Sequence, residues 1–297
     1  MHLLSDLPIL DSSVVFDSIL KQAVVRFQNR HGLLADGSVG KQTLHFLHVP
    51  IQQQMQQIKV NLQRLKSAVK PSVGDYLVVN IPAFRLYVFH TGKLLWSCKV
   101  VVGEAISTKK TVVFNDKIEY IVFSPYWNIP QGIIIQQILP NIQKDNSYLT
   151  EYGMEVLDQE GHVISSNTIN WSSYKTKFPY RMRQKPGKNN ALGKIKFMFP
   201  NKYAIYLHDT PQKMLFGQSK RSFSHGCIRV QEPLKLAQFL LGKDKRYTQQ
   251  KILVLMNRQE EQVVMLKRQI PVSIVYYTVW VDRGGWLNFR KDVYGYD

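Results

Sequence analysis

The sequence predicts an α+β protein in which a helical N-terminal part precedes a larger, β-rich part. Apolar side chains recur at helical spacing over residues 18–47 and again over 51–69. From Tyr76 onward the chain changes to short runs rich in Val, Ile and aromatic residues, which are typical of β-strands. Between 128 and 190 this pattern weakens and Gly, Pro, Asn and Ser become frequent. That change indicates an insertion over one end of the β-rich part.

The helical part divides into a small unit and a connector. In the small unit the first helix is expected to end at Gly32, and Ser38 is expected to cap a second helix. The connector has one apolar stripe with steps of four and three residues, and Pro71 ends it. The predicted domains are therefore a helical module at 1–50, a connecting helix at 51–72, and a β-rich domain at 73–297 with its insertion at about 128–190.

The β-rich domain contains several strand candidates and one helix. The sequence "HTGK" at 90–93 fits the two-residue turn of a β-hairpin. A helix is expected at 233–241. The strand candidates are residues 76–81, 85–90, 93–103, 118–123, 194–199, 203–208, 252–256 and 272–281.

The charge of the chain is strongly basic. Its 297 residues include 39 Lys and Arg against 21 Asp and Glu, which gives a formal net charge of +18. Such a balance favours nucleic acid, anionic lipid or an anionic cell-wall polymer as a partner. The basic residues are scattered in pairs such as Lys109-Lys110, without a nucleic-acid-binding motif, so charge alone names no partner.

Membrane and targeting signals are not visible in the sequence. No apolar run approaches the length needed to span a bilayer. The start, "MHLLSDLPIL", does not have the composition of a signal peptide. The protein is therefore expected to be intracellular, or the chain to begin downstream of its true start.

The two cysteines, Cys98 and Cys227, are too few for a disulfide framework or a Cys-rich zinc site. Cys98 lies in a strand-like run and is expected in the core. Cys227 lies in "FSHGCIRV", where it is either a structural thiol or a nucleophile. A nucleophile needs a base, exposure and donors for an oxyanion. Gly226 would let a substrate carbonyl approach the backbone, with the Cys227 N–H as an oxyanion donor.

A base for this thiol is predicted on a preceding strand. His225 is a poor candidate, because adjacent side chains on a strand point to opposite faces. His208 ends the strand candidate 203–208, nineteen positions before Cys227, so two neighbouring strand ends could bring imidazole and thiol together. Arg229 shares the parity of Cys227 and suits a substrate carboxylate, and Tyr206 shares a face with His208. A metal site of His208, His225 and Cys227 is the rival interpretation, and a structural histidine and thiol are the plainer one.

The arrangement "H208…S224-H225-G226-C227-I228-R229" resembles the signature of L,D-transpeptidases with a YkuD-type catalytic domain, with fifteen residues between His208 and Ser224. Other stretches resemble the large, YcbB-like branch of Gram-negative bacteria. They are "VVNIPAFRLYVFHTGKL", "SPYWNIP", "RQKPGKNNALGKIKFMFPN", "YLHDTP" and "VYGYD". "AVVRFQNRHGLLADGSVGKQTL" resembles the peptidoglycan-binding helical module of that branch, so the resemblance covers nearly the whole chain.

The resemblance implies a mixed β-sandwich catalytic domain with a capping insertion, and it implies a reaction. Cys227 would attack the carbonyl of the third stem residue, meso-diaminopimelate, and expel the terminal D-alanine. The side-chain amine of a second stem would then resolve the thioester and leave a 3→3 cross-link. His208 would act first as base and then as acid.

The resemblance also implies roles for the neighbouring residues. Ser224 and Gly226 would shape the site, the Cys227 N–H and Tyr206 would hold the oxyanion, and Arg229 would anchor a carboxylate or a loop. His225 belongs to the motif without an assigned role. The implied partners are donor and acceptor stem peptides, with no metal, cofactor or nucleic acid. We expect a monomer that is periplasmic, associated with the cell wall and a target of carbapenems.

Two alternatives stay open at this point. In an L,D-carboxypeptidase, water would replace the acceptor amine, and the motif does not separate the two reactions. A non-catalytic wall-binding protein would use the helical module alone and would have no need for both Cys227 and His208. Members of the family begin with a leader or anchor and a further helix before "LSDLPIL", so a truncated start is expected.

Overall fold

A computed structural model describes Asp6 and residues 15–66, 73–145, 147–242 and 244–297. A π-helical turn, Ile134–Ile138, joins two of its short helices. The helices are α1 (Ser18–Arg30), α2 (Lys41–Leu47), α3 (Ile51–Lys66), α4 (Gln131–Ile133), α5 (Leu139–Lys144), α6 (Tyr148–Glu151), α7 (Pro233–Leu241) and α8 (Gln249–Met256).

The strands vary from two to fourteen residues in length. They are β1 (Asp75–Asn80), β2 (Arg85–His90), β3 (Lys93–Gly103), β4 (Phe114–Phe123), β5 (Trp127–Asn128), β6 (Met154–Leu157), β7 (Val163–Ile164), β8 (Arg181–Gln184), β9 (Ile195–Met198), β10 (Leu207–His208), β11 (Ser222–Ser224), β12 (Ile228–Val230), β13 (Gln262–Val275), β14 (Val279–Val281) and β15 (Leu287–Phe289).

The N-terminal helices largely follow the sequence pattern. The carboxylate of Asp17 accepts a hydrogen bond from Leu20 N at 2.8 Å and so caps α1. The prediction that Ser38 caps α2 is wrong. Ser38 N donates to Asp36 Oδ1 at 2.8 Å in a local turn, and the helix begins at Lys41, after the N-cap residue Gly40.

The predicted connector is α3, and its expected final residues, Val69 and Pro71, lie outside the described residues. A buried polar contact fixes this helix. Asn61 donates to Thr278 Oγ1 at 2.7 Å and accepts from Thr278 N at 2.9 Å. Because an unpaired buried amide would be costly, this reciprocal pair specifies one position for the helix.

One predicted strand is a helix. Residues 252–256, "ILVLM", belong to α8, which Thr248 caps by accepting from Lys251 N at 3.2 Å. Ile252, Leu255 and Met256 are buried, whereas Val254 is 46% exposed, which is a helical burial pattern. An apolar run of five residues does not by its periodicity distinguish a buried strand from a buried helix.

Two strand candidates are shorter than expected because asparagine side chains bind the backbone. In 203–208 only β10 is a strand, since Asn201 Oδ1 accepts from Tyr203 N at 3.0 Å and from Ile205 N at 3.3 Å. Candidate 272–281 is interrupted after β13, where Asn80 exchanges two 3.0 Å hydrogen bonds with the backbone of Tyr277. Both side chains bind backbone groups that a longer strand would need for hydrogen bonds to a neighbouring strand.

The described residues fall into two compact units. The first comprises those of Met1–Asn115, Leu215–Gly226 and Pro271–Asp297. In this unit β1 pairs antiparallel with β2 and parallel with the end of β13, β2 pairs antiparallel with β3, and β3 pairs parallel with β11. The turn of the predicted hairpin is confirmed at Thr91 and Gly92, whose φ values of 45° and 76° fit a type I′ turn.

The second unit comprises those of Asp116–Met214 and Cys227–Ile270. Here β4 and β10 each pair antiparallel with β9, and β10 pairs parallel with β12. The predicted insertion contains its own sheet, in the order β5-β8-β6-β7. That sheet has a separate apolar core, which includes Ile134, Leu139 and Ile142. The insertion is therefore more regular than its loop-rich sequence indicates.

Mixed sheets together with helices confirm the predicted α+β class. The domain boundaries at 50, 72 and 128–190 stay predictions. Within the described ranges, no helix has the length and apolar character to cross a membrane.

Candidate active site

The candidate site is built on the pairing of two short parallel strands in the second unit. Leu207 of β10 lies opposite Ile228 of β12, and His208 lies opposite Arg229. Just before this ladder, Ile228 N donates to Tyr206 O at 3.0 Å. Tyr206 and Cys227 therefore lie at the same end of the two strands, and residues twenty-one positions apart lie opposite each other.

The Cys227 thiol is half-buried and remains neutral at neutral pH. Burial raises the pKa of Cys227 from 9.0 to about 11, against the opposing effects of Tyr206 and the Arg229 charge. Its Sγ lies 3.5 Å from the carbonyl oxygen of Ala204, to which the thiol donates. Burial, the nearby sulfur and a hydrogen bond to that sulfur all raise the pKa of Tyr206. The phenol therefore stays protonated and can donate.

His208 is buried, and its imidazole is also neutral. Burial, together with a smaller effect of the Arg229 charge, lowers the pKa of His208 from 6.5 to about 3. The carbonyls of Asp209 and Leu192 oppose this effect and raise the pKa of His208. Nδ1 lies 2.5 Å from Asp209 O. In the neutral tautomer Nδ1–H donates to that carbonyl, which leaves the lone pair of Nε2 as the basic group.

The carbonyl groups that hold His208 are themselves fixed by a buried carboxylate. Asp209 accepts from Lys194 N at 2.9 Å and forms an ion pair with Lys213. Gly193 has φ +63°, and a Cβ at this position would lie 2.4 Å from Asp209 Oδ2. Asn190 is buried and accepts from Leu192 N at 2.8 Å. The segment 190–194 is thus closed around Asp209, and only glycine fits at 193.

Arg229 lies on β12 and has unused hydrogen-bonding capacity. Its Nη1 donates to Gln212 Oε1 at 2.6 Å, so the guanidinium binds the loop that follows β10. Its Nε is buried and has no hydrogen-bond partner among the described residues. Burial lowers the pKa of Arg229, and Cys227 opposes this effect. A partly buried guanidinium with a free N–H donor is suited to a carboxylate.

The residues before Cys227 belong to the first unit and form a tight turn. Gly226 has φ +118° and its N–H donates to Ser224 Oγ at 3.1 Å. Ser224 and Gly226 are buried, whereas His225 is exposed. The turn therefore separates His225 from the buried side of the motif.

The register places His208 opposite Arg229 within β10 and β12, and Tyr206 and Cys227 stand directly before these two strands. Their chemical roles stay predictions. Sequence reasoning missed the support that Asp209, Gly193 and Asn190 give to His208. These residues lie in "YLHDTP" and "NNALGK", where the glycine and the acid next to the histidine were the available signals. Across the described part of the chain, no group of three or more His, Cys, Asp or Glu side chains is placed to hold a metal ion.

Comparison with known proteins assigns the family. Residues 74–264 match the model of the family described as "L,D-transpeptidase catalytic domain", called YkuD, and residues 6–47 match "Putative peptidoglycan binding domain". The first match covers more than half of the chain. The chain belongs to the YkuD family of L,D-transpeptidase catalytic domains, which confirms the family that the sequence resembles. The YcbB-like branch stays a prediction.

One curated relative is a Haemophilus influenzae protein named "Putative L,D-transpeptidase". It is 36% identical over 242 residues, which are 82% of this chain and 48% of the relative. The chain thus spans about half the length of that protein.

Solved structures with similarity include an L,D-transpeptidase from Mycobacterium smegmatis, at 13% identity and a TM-score of 0.33, covering 68% of this chain and 59% of that one. Another is an L,D-transpeptidase from Xylanimonas cellulosilytica, at 14% identity and a TM-score of 0.31. This match covers 92% of this chain and 91% of that one.

The contact between Gly193 and Asp209 predicts an effect on stability. Gly193→Ala should lower the free energy of unfolding by about 1–3 kcal/mol more than Gly153→Ala. The two glycines have nearly the same φ, +63° and +59°, but at Gly153 the nearest atom to an added Cβ is 4.0 Å away. Urea denaturation of both variants measures the difference. Equal losses would show that segment 190–194 adapts and does not enclose Asp209.

The neutral thiol predicts a particular pH dependence. Because the pKa of Cys227 is about 11, the thiolate fraction, and with it the rate of alkylation by iodoacetamide, should rise about tenfold per pH unit between about pH 7 and 10. Peptide mass spectrometry measures the modification of Cys227, with Cys227→Ala as the blank. A rate that is constant from about pH 6 to 9 would instead reveal a thiolate–imidazolium pair at rest and would contradict the neutral state.

Proposed function

We propose that this chain is a peptidoglycan L,D-transpeptidase that forms 3→3 cross-links through a thioester on Cys227. The observation that supports the proposal is the pairing of β10 with β12 in a chain of this family, with His208 opposite Arg229 and with Tyr206 and Cys227 directly before the two strands. A thiol, a neutral imidazole, a phenol and a guanidinium are the groups that acyl transfer from a peptide carboxylate end requires.

In the first half-reaction the thiol loses its proton as it attacks. Both groups are neutral at rest, so His208 Nε2 accepts the proton while Sγ bonds to the carbonyl carbon of meso-diaminopimelate. The Cys227 N–H and the Tyr206 hydroxyl donate to the oxyanion of the tetrahedral intermediate. The intermediate collapses, the imidazolium returns the proton to the leaving amine, and D-alanine departs.

In the second half-reaction the side-chain amine of another stem attacks the thioester. His208 takes a proton from that amine and gives it to the departing sulfur, so the resting thiol and imidazole are restored. The product is an amide between two third-position residues. Water in place of the amine would give a tripeptide, which is the carboxypeptidase reaction.

Arg229 is proposed to couple substrate binding to the basicity of His208. Its positive charge contributes to the low pKa of His208. A substrate carboxylate bound at the free Nε would neutralise that charge and raise the pKa of the imidazole. The base would then be strengthened when a substrate is in place.

The N-terminal match supports a role at the cell wall. Residues 6–47 match a peptidoglycan-binding model, and the net charge of +18 favours an anionic polymer. We propose a periplasmic, wall-associated monomer that acts on donor and acceptor stems. The chain spans about half the length of its curated relative, so the activity of the whole protein is part of this proposal.

The product analysis has a definite expected result. Incubation with tetrapeptide muropeptides should give cross-linked dimers that lack one D-alanine, measured by mass spectrometry. Cys227→Ala should abolish the product, and His208→Gln should lower the rate by about 10²–10⁴-fold because the proton acceptor is lost.

The chain provides a matched control in its other cysteine. Cys98 is buried in the first unit, so Cys98→Ala should keep the product if it remains folded. Tripeptides without dimers would assign the carboxypeptidase reaction instead. No product from the unmodified protein would refute both reactions.

A further inference from the structure

We propose that Thr111, supported by Tyr294 near the C-terminus, is a positioning residue that orients the peptide bond before Cys227. This inference rests on the proposed function in one respect, since it assumes that the Cys227 N–H stabilises an oxyanion. Thr111, Tyr294 and Gly226 all belong to the first unit. None of the sequence motifs assigned a role to Thr111 or Tyr294.

The hydroxyl of Thr111 is committed to one hydrogen-bonding arrangement. Oγ1 accepts from Gly103 N at 2.9 Å and donates to the carbonyl oxygen of Gly226 at 2.7 Å. Thr111 is completely buried, so water does not compete for either contact. Because Gly103 N can only donate, the single hydroxyl proton must point to Gly226.

The contact fixes the peptide unit that joins Gly226 to Cys227. The N–H of Gly226 is held by Ser224 Oγ at 3.1 Å, and its carbonyl is held by Thr111. In a planar trans peptide, C=O and N–H point in opposite directions. Anchoring the Gly226 oxygen therefore sets the direction of the Cys227 N–H. Without that anchor, a glycine at φ +118° has unusual rotational freedom.

Tyr294 fixes Thr111 in turn. Its hydroxyl donates to Gly103 O at 2.7 Å and accepts from Thr111 N at 3.1 Å. Tyr294 is itself held, because its N–H donates to the Tyr276 hydroxyl at 2.7 Å and its carbonyl accepts from Lys110 Nζ at 2.9 Å. Tyr294, in the segment "VYGYD", thus supports Gly226 indirectly: its hydroxyl binds the backbone of Thr111, and the Thr111 hydroxyl binds the Gly226 carbonyl.

Acylation and alkylation of the Cys227 sulfur should respond differently to loss of the Thr111 hydrogen bond. Acylation of Cys227 develops an oxyanion and depends on the direction of the N–H donor. Alkylation by iodoacetamide displaces iodide at a saturated carbon and develops no oxyanion. Loss of the anchor should therefore slow acylation selectively.

The test compares both rates in the same protein. In Thr111→Val, which keeps the shape of the side chain, acylation of Cys227 by p-nitrophenyl acetate should slow about tenfold, and alkylation by iodoacetamide should change by less than about twofold. Thr111→Ser retains the hydroxyl and should restore the ratio of the two rates. Tyr294→Phe should shift the ratio in the same direction by about threefold, since it removes only the support.

The control is Thr43→Val, which removes another buried threonine hydroxyl, one that donates to Ser38 O at 3.4 Å in the N-terminal helices. Its ratio should match the unmodified protein. An unchanged ratio in Thr111→Val, or an equal fall in both rates, would overturn the inference. If Thr111→Val does not fold, an unchanged ratio in Tyr294→Phe has the same meaning. Because p-nitrophenyl acetate needs no stem peptide, failure on muropeptides would refute the proposed function and not this inference.

Discussion

The parallel pairing of β10 with β12 is the constraint on which the candidate site depends. β10 has only two residues, and β12 has three. Such short strands are weak alone, so their position comes from the antiparallel partner β9 and from the Ile228 N to Tyr206 O hydrogen bond. A shift of one residue would move His208 and Cys227 to the wrong faces. The buried support of His208 by Asp209 protects against such a shift.

Burial explains why the Cys227 thiol and the His208 imidazole are both neutral at rest. A charged pair would pay a desolvation cost that the surrounding carbonyls and the phenol do not fully offset. The pKa of Cys227 is therefore raised and that of His208 lowered, each mainly by burial. A neutral thiol is also less open to oxidation than a thiolate.

The sequence predicts the α+β class, because helical and strand-like periodicities are local properties. It also predicts that the segments of His208 and Cys227 are neighbours, and the pairing of β10 with β12 agrees with this. The sequence prediction is wrong where hydrogen bonds from side chains determine the backbone conformation. Asn201 shortens one strand, and the apolar run at 252–256 becomes a helix through the Thr248 cap. The support from Asp209 and Thr111 depends on contacts between distant segments, such as 2.7 Å between Thr111 Oγ1 and Gly226 O. No spacing rule encodes contacts of that kind.

In the proposed reaction the sulfur of Cys227 carries the acyl group. The most direct measurement uses a tetrapeptide donor whose side-chain amine is blocked by acetylation, followed by rapid acid quenching and peptide mass mapping. We expect an adduct on the Cys227 peptide that is equal in mass to the donor without D-alanine, and hydroxylamine should remove it. Release of D-alanine with no adduct on Cys227 at any time, or an adduct on another residue, would contradict it.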